Sequence, residues 1–187
     1  MRSSILVGLI SLSVLSGTVA YADEMEVRDR GFLLDRSDHD RPQMLSLFAG
    51  LPYYYGAYRG FPAGFGLRYY VPLVRDGFLP AVNDEFGIEF GGDLAAFSYP
   101  GGAYYGLSIP IEVLWDFHFL PRVDAYAKAG AAFAVGFGSY YYPGPAPAPY
   151  GVYPIMALGL RLKLTDLVYL RAEVGYPWAK LGLAFAF

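Results

Sequence analysis

The chain has 187 residues, no cysteine and a formal net charge of −3. That length holds one domain, the missing cysteines exclude disulfides, Cys-ligated zinc and lipoprotein acylation, and the charge offers nucleic acid no basic surface. Hydrophobic residues make up 55% and aromatic residues 18% of the sequence, yet after the N-terminus no apolar run is long enough for a transmembrane helix.

Residues 1–22 read as a secretory signal peptide. Arg2 gives a positive start, Ile5 to Leu15 is mostly apolar and too short to span a bilayer, and Ala20-Tyr21-Ala22 is a small-residue cleavage site. Residues 23–42 are crowded with charge, from Asp23 and Glu24 to Asp40 and Arg41, with Phe32-Leu33-Leu34 as the apolar exception. Such a segment buries too little surface to offset its ordering entropy, and a flexible arm is expected. Asp38-His39-Asp40 lies in it; without a fixed scaffold or further ligands it reads as solvated charge, not a metal site.

From Gln43 onward, large apolar residues alternate with small or polar ones over eight stretches, the period of strands whose two faces meet different surroundings. They run Met44 to Leu51, Gly64 to Val74, Asp84 to Phe97, Tyr105 to Phe117, Arg122 to Phe137, Val152 to Leu164, Leu167 to Tyr176 and Lys180 to Phe187. In the first, Leu45, Leu47 and Leu51 share one face and Ser46, Phe48 and Gly50 the other; in the sixth, Met156, Leu158, Leu160 and Leu162 oppose Gly159, Arg161 and Lys163. The small face carries nearly balanced charge: Glu85, Glu89, Asp93, Glu112, Asp116, Asp124 and Glu173 against Arg68, Lys128, Arg161, Lys163, Arg171 and Lys180. Pro72 and Pro110 fall inside strands, where bulges are the expected accommodation.

The last stretch alternates strictly, and it ends on Phe187, with Phe185 two before it, Gly182 five before and Lys180 seven before. This tail resembles the last strand of the outer-membrane β-barrels of Gram-negative bacteria, and the architecture over residues 43–187 resembles their small OmpA- and OmpX-like members. The resemblance implies an all-β fold, an eight-stranded antiparallel up-and-down transmembrane β-barrel, with the greasy face on lipid and the charges in the lumen. There the charges are expected to form an internal salt-bridge network plugging a narrow interior, because unpaired buried charge is very costly. Leu162→Arg is then expected to cost about 2–4 kcal/mol if that position faces mid-bilayer.

The resemblance further implies recognition of Lys180, Gly182, Phe185 and Phe187 by the barrel-assembly machinery, with periplasmic chaperones during biogenesis. It implies periplasmic termini and periplasmic links at 75–84, 118–122 and 165–166. The other links, at 52–61, 98–104, 138–151 and Pro177-Trp178, are then expected to face outside, and no peptidoglycan-binding domain is expected beside the barrel. Lipid and lipopolysaccharide are the expected surroundings. Tyr69, Tyr153, Tyr176 and Trp178 are placed near the outer rim, and Phe86, Trp115, Phe117 and Phe187 near the inner one, as aromatic girdles. Tyr53, Tyr54, Tyr55, Tyr140, Tyr141 and Tyr142 crowd the outer loops. They extend the girdle or hold an extracellular ligand, since Tyr gives rigid amphipathic contact at low entropic cost.

No catalytic constellation stands out. His39 falls in the charged arm, His118 in an inner turn, and neither is followed by an x-Ser pattern; some small barrels of this kind are lipid-modifying enzymes with a His at the outer rim, and here none reaches it. No cofactor, metal or nucleic-acid partner is expected. The reading is a structural or surface-interacting barrel. Two alternatives stand beside it: a narrow channel for ions or small apolar solutes, and a soluble lipocalin-like periplasmic barrel with the greasy face inward.

Overall fold

The computed structural model describes residues 32–34, 41–52, 62–99, 102–138 and 151–187. The signal peptide, most of the charged arm, His39 and the loop tyrosines 53–55 and 140–142 lie outside the described residues. Eight strands follow in order: β1 Met44–Pro52, β2 Pro62–Val74, β3 Asp84–Tyr99, β4 Gly102–Leu120, β5 Val123–Gly138, β6 Gly151–Lys163, β7 Val168–Tyr176 and β8 Trp178–Ala186. Each pairs antiparallel with the next, and β1 closes on β8 from Met44↔Ala186 to Pro52↔Trp178. The result is a closed eight-stranded barrel with no unpaired sheet edge.

The barrel is inside-out relative to a water-soluble one. Along β1, Met44, Ser46 and Phe48 are buried while Leu45, Leu47 and Leu51 are exposed. The same alternation leaves Phe65 at 71% and Leu158 at 65% exposure, whereas Arg68, Glu89 and Arg171 are at 0%. A soluble monomer rarely exposes a contiguous apolar patch above a few hundred Å²; here the apolar face belongs to every strand. The arrangement in which that face lines the interior, which the soluble lipocalin-like alternative requires, is therefore overturned. No helix among the described residues is long and apolar enough to cross a membrane.

The two ends differ. The terminal rim carries residues 41–44, Phe187 and the turns at 75–83, 121–122 and 164–167. The far rim carries the connections after β1, β3, β5 and β7. Pro72 is accommodated as expected, with a register shift between Pro72 and Val74 in the β2–β3 ladder. Pro110 is not at a bulge: it pairs in register with Ala132, and the β3–β4 pairing passes from Phe90↔Ile111 directly to Asp93↔Ser108 without a shift. The β3–β4 ladder is thus interrupted at proline, which has no N–H to give it.

Several expectations are corrected by the register. The loop predicted at 98–104 contracts, because Ser98 pairs with Ala103 and Tyr99 with Gly102. The turn predicted at 118–122 is mostly strand, with a bulge between His118 and Leu120. Tyr69 is not at the far rim: its ring stacks on Phe187, with centroids 6.0 Å apart. Trp178 is at the far rim but inward-facing and buried, in a cluster with Ala95 and Phe97. Leu162 sits one residue from the end of β6 and pairs with Val123 and Leu170, so it flanks the terminal rim and is not mid-barrel.

The turn between β2 and β3 is pinned by a buried carboxylate. Asp84, 1% exposed, accepts from Trp115 Nε1–H at 2.7 Å and from the Phe78 amide at 3.0 Å. Gly77 lies at φ 51°, and a Cβ there would fall 2.1 Å from the Asp84 carboxyl carbon, so both backbone conformation and space demand glycine. The described N-terminal residues reach this turn: Phe32–Leu34 form a 3-10 turn, and the Leu33 carbonyl accepts from the Asn83 amide at 2.6 Å.

Candidate functional site

The strand period places one residue in two inside the barrel, so the charges of seven different strands meet in one volume. Besides Asp84 at the β2–β3 turn, six buried acids, Glu85, Glu89, Asp93, Glu112, Asp116 and Glu173, face six buried bases, Arg41, Arg68, Lys128, Arg161, Arg171 and Lys180, among the described residues. They fall into three connected groups along the axis.

The central group is built on β3, β4, β5 and β7. Arg171 Nη1 donates to Glu89 at 2.7 Å and to Ser46 Oγ at 2.7 Å, and Nη2 to Glu173 at 2.8 Å. Arg171 Nε donates to the Tyr126 hydroxyl at 3.1 Å, which in turn donates to Glu173 at 2.7 Å. Lys128 Nζ has three carboxylate neighbours: Glu173 at 2.7 Å, Glu112 at 3.2 Å and Glu89 at 3.3 Å. An ammonium has three protons to give, so this geometry uses them all.

Toward the far rim, Arg68 Nε donates to Glu112 at 3.1 Å and Nη2 to Asp93 at 2.6 Å. Lys180 Nζ reaches Asp93 at 3.1 Å and lies 5.1 Å from the Trp178 ring centroid. Trp178 thus roofs the network with an aromatic face, an arrangement favourable to a desolvated cation.

Toward the terminal rim, Arg161 pairs with Asp116 and stands 3.7 Å from Asp124. Its guanidinium lies 5.5 Å from the ring centroids of both Tyr70 and Tyr126. Tyr70 donates to Glu85. These rings fit only because glycine faces them: a Cβ at Gly87 would be 2.4 Å from Tyr70, and one at Gly159 2.1 Å from Tyr126. A cavity of about 230 Å³ opens at this mouth, lined in part by Arg41, Glu85, His118, Asp124 and Arg161.

Of the residues the sequence singles out for the network, all but two are buried in it. Lys163 stands at the terminal rim, 33% exposed, with Asp166 at 3.0 Å. Asp124 is half-buried at the mouth, where it accepts from or pairs with His118 Nδ1 at 2.8 Å. Two residues are placed differently from expectation. Arg41, read as part of a solvated arm, is 6% exposed and its Nη2 donates to Asn83 Oδ1 at 2.9 Å. His118, read as a turn residue, is an inward strand residue of β4 between Arg41 and Asp124. Nothing in the sequence joins Arg41 to a site 42 residues away. The inward position of Tyr70 and Tyr126 is legible from parity alone, but their hydrogen bonds are not.

The four tail residues also acquire structural roles. Lys180 lies inside with Asp93. Gly182 is required where β8 meets β1, since a Cβ would fall 2.1 Å from the Leu47 carbonyl oxygen. Phe185 and Phe187 are outward and exposed. No group of three or more metal-ligating side chains occurs among the described residues.

The crystal structure of Ail, the attachment invasion locus protein of Yersinia pestis, superposes with a TM-score of 0.52 at 16% identity, over 79% of this chain and 100% of that one. This chain has the fold of a small outer-membrane β-barrel. Neisserial surface protein A matches with a TM-score of 0.43 at 15% identity, over 78% of this chain and 95% of that one. A designed transmembrane β-barrel matches at 0.47 and 13% identity, over 80% and 100%. No protein-family model and no curated protein sequence matches the chain.

Proposed function

We propose that the protein is an outer-membrane barrel with a structural or surface-interacting role, its lumen plugged by the ionic network. The observation that carries this reading is the pairing of opposite surfaces on one sheet. An apolar face covers the outside of every strand, while six acids and six bases neutralise one another within. Only a hydrocarbon solvent makes the first stable, and only mutual pairing makes the second tolerable.

On this reading the terminal rim faces the periplasm, and residues 53–61 and 139–150 carry the extracellular tyrosines. Lipid and lipopolysaccharide surround the belt, and the tail around Gly182, Phe185 and Phe187 presents the signal for the barrel-assembly machinery, with periplasmic chaperones before it. On this reading the protein works without catalysis: among the described residues, the inward pair His118 and Asp124 has its second ring nitrogen engaged by Arg41 at 2.9 Å, which ties up the imidazole that would serve as a general base. The narrow-channel alternative requires a water path past Lys128 and Arg171, whose protons already go to protein acceptors.

The test is fractionation of the full-length protein expressed in a Gram-negative host, followed by gel migration with and without boiling. A heat-shifted band in the outer-membrane fraction is expected. A soluble periplasmic band with no shift would overturn the reading. Single-channel recording separates plug from pore: steady conductance steps from the wild type would refute the plugged lumen.

A further inference from the structure

We propose that a groove on the outer face of β4–β7 seats one acyl chain of a glycerophospholipid, whose phosphate is held at the terminal rim by Arg122. The inference rests on the membrane placement proposed above, which puts this face in hydrocarbon.

The outward row of β5 drops from large to small. Between Val123 and Phe133 every outward residue is alanine: Ala125, Ala127, Ala129 and Ala131. The neighbouring strands keep their bulk at the terminal end of this row. Ala125 stands between Phe117 and Leu160 in the two ladders, and Ala127 between Trp115 and Leu158. On β7, Leu160 is followed by another alanine, Ala172. The result is an apolar groove of about 500 Å³, walled on β4 by Phe117 and Phe119. Tyr126, Gly159 and Glu173 also line it. Tyr126 and Glu173 send their side chains into the lumen, where they bond to each other, so backbone forms the floor. Phe117 and Leu160 stand two strand spacings apart, about 10 Å between backbones. Their side chains leave the width of a single chain between them, not that of the convex wall of a second barrel.

Depth fixes which leaflet the groove serves. Ala125 and Ala127 are two and four residues from the start of β5 at Val123. At roughly 2.6 Å of axial advance per residue, they stand about 5 and 10 Å from the terminal end. The groove thus runs from the terminal rim to about the middle of an apolar band about 25 Å tall. That is the reach of one leaflet, with the headgroup at the rim.

Charge at the rim selects the headgroup. Arg122 lies in the turn between β4 and β5, the strands that carry Phe119 and Ala125. It is exposed, and its side chain has no hydrogen bond or ion pair among the described residues. The neighbouring cations are engaged: Arg161 with Asp116, Lys163 with Asp166 and Arg41 with Asn83. Arg122 also borders the cavity at the mouth, but the acids there pair elsewhere, Glu85 with Arg41 and Asp124 with His118. A guanidinium matches a phosphate with two parallel N–H···O bonds. An apolar groove ending at an uncompensated arginine is complementary to an apolar chain ending at a phosphate.

The test uses the full chain, extracted from the outer membrane in detergent and followed by native mass spectrometry with added phosphatidylglycerol. One lipid per barrel is expected to survive removal of the detergent. Filling the groove with Ala125→Leu and Ala127→Leu together is expected to abolish retention. Ala131→Leu, on the same face but outside the lining, is expected to leave it unchanged. Arg122→Gln should weaken retention about tenfold or more through loss of the charge-assisted pair. Arg75→Gln, at an exposed arginine of the β2–β3 turn, should not. Diacylglycerol, which has the chains without the phosphate, is expected to bind wild type and Arg122→Gln equally. Retention that survives the groove-filling pair, or that ignores Arg122→Gln, overturns the proposal. A wild-type dimer that the filling pair dissociates overturns it too, by giving the groove to a second copy, as does lipopolysaccharide retained in place of the phospholipid. The heat-shifted band in the outer-membrane fraction separates the two readings. Its absence from the wild type sinks the membrane placement; its presence without a retained lipid sinks the groove alone.

Discussion

Replacing one outward leucine by arginine at two depths measures whether the apolar belt faces hydrocarbon. Leu158 and Leu162 are both outward on β6, at 65% and 41% exposure. They differ in distance from the terminal end of the strand at Lys163. With a rise of about 3.4 Å per residue and a tilt of about 40°, each residue advances roughly 2.6 Å along the barrel axis. Leu162 is then about 3 Å from that end and Leu158 about 13 Å, close to the middle of an apolar band about 25 Å tall. Leu158→Arg is expected to destabilise by about 2–4 kcal/mol and Leu162→Arg by about 0–1 kcal/mol, since an arginine near the interface reaches water. The assay is reversible urea unfolding in phospholipid vesicles, read by the gel shift and by tryptophan fluorescence. Equal costs at the two positions, or a neutral Leu158→Arg, would refute placement of this face in hydrocarbon.

Further substitutions test the interior and its support. Arg171→Met leaves Glu89 and Glu173 without their shared guanidinium; a loss of about 3–5 kcal/mol is expected, with partial recovery when Glu173→Gln is added, both read from urea midpoints. Gly159→Ala drives a methyl to 2.1 Å from the Tyr126 ring and should cost about 1–3 kcal/mol by overpacking, whereas Gly106→Ala, whose nearest neighbour is Phe97 at 3.9 Å, should sit within about 0.5 kcal/mol of wild type. Trp115→Phe removes the indole donor 2.7 Å from Asp84; a loss of about 1–3 kcal/mol is expected, with faster amide exchange at Phe78, whose N–H binds the same carboxylate.

Which residues face in and which face out was legible in the chain from Met44 onward, because a strand's side chains alternate and the two faces here differ sharply in size and charge. That parity alone put Arg68, Glu89, Lys128 and Arg171 on the inner face, where the fold buries all four. Parity is blind to height along the barrel. It could not tell that Tyr69 stacks on Phe187 at the terminal rim, or that Leu162 lies beside that rim, since strand stagger follows from ladder register. Nor could it find Arg41 and His118, whose meeting depends on β4 continuing through the predicted turn and on a segment outside the alternating pattern. The local period of the sequence determined the faces; closure and register, set by pairing between residues far apart in the chain, decided which charges touch.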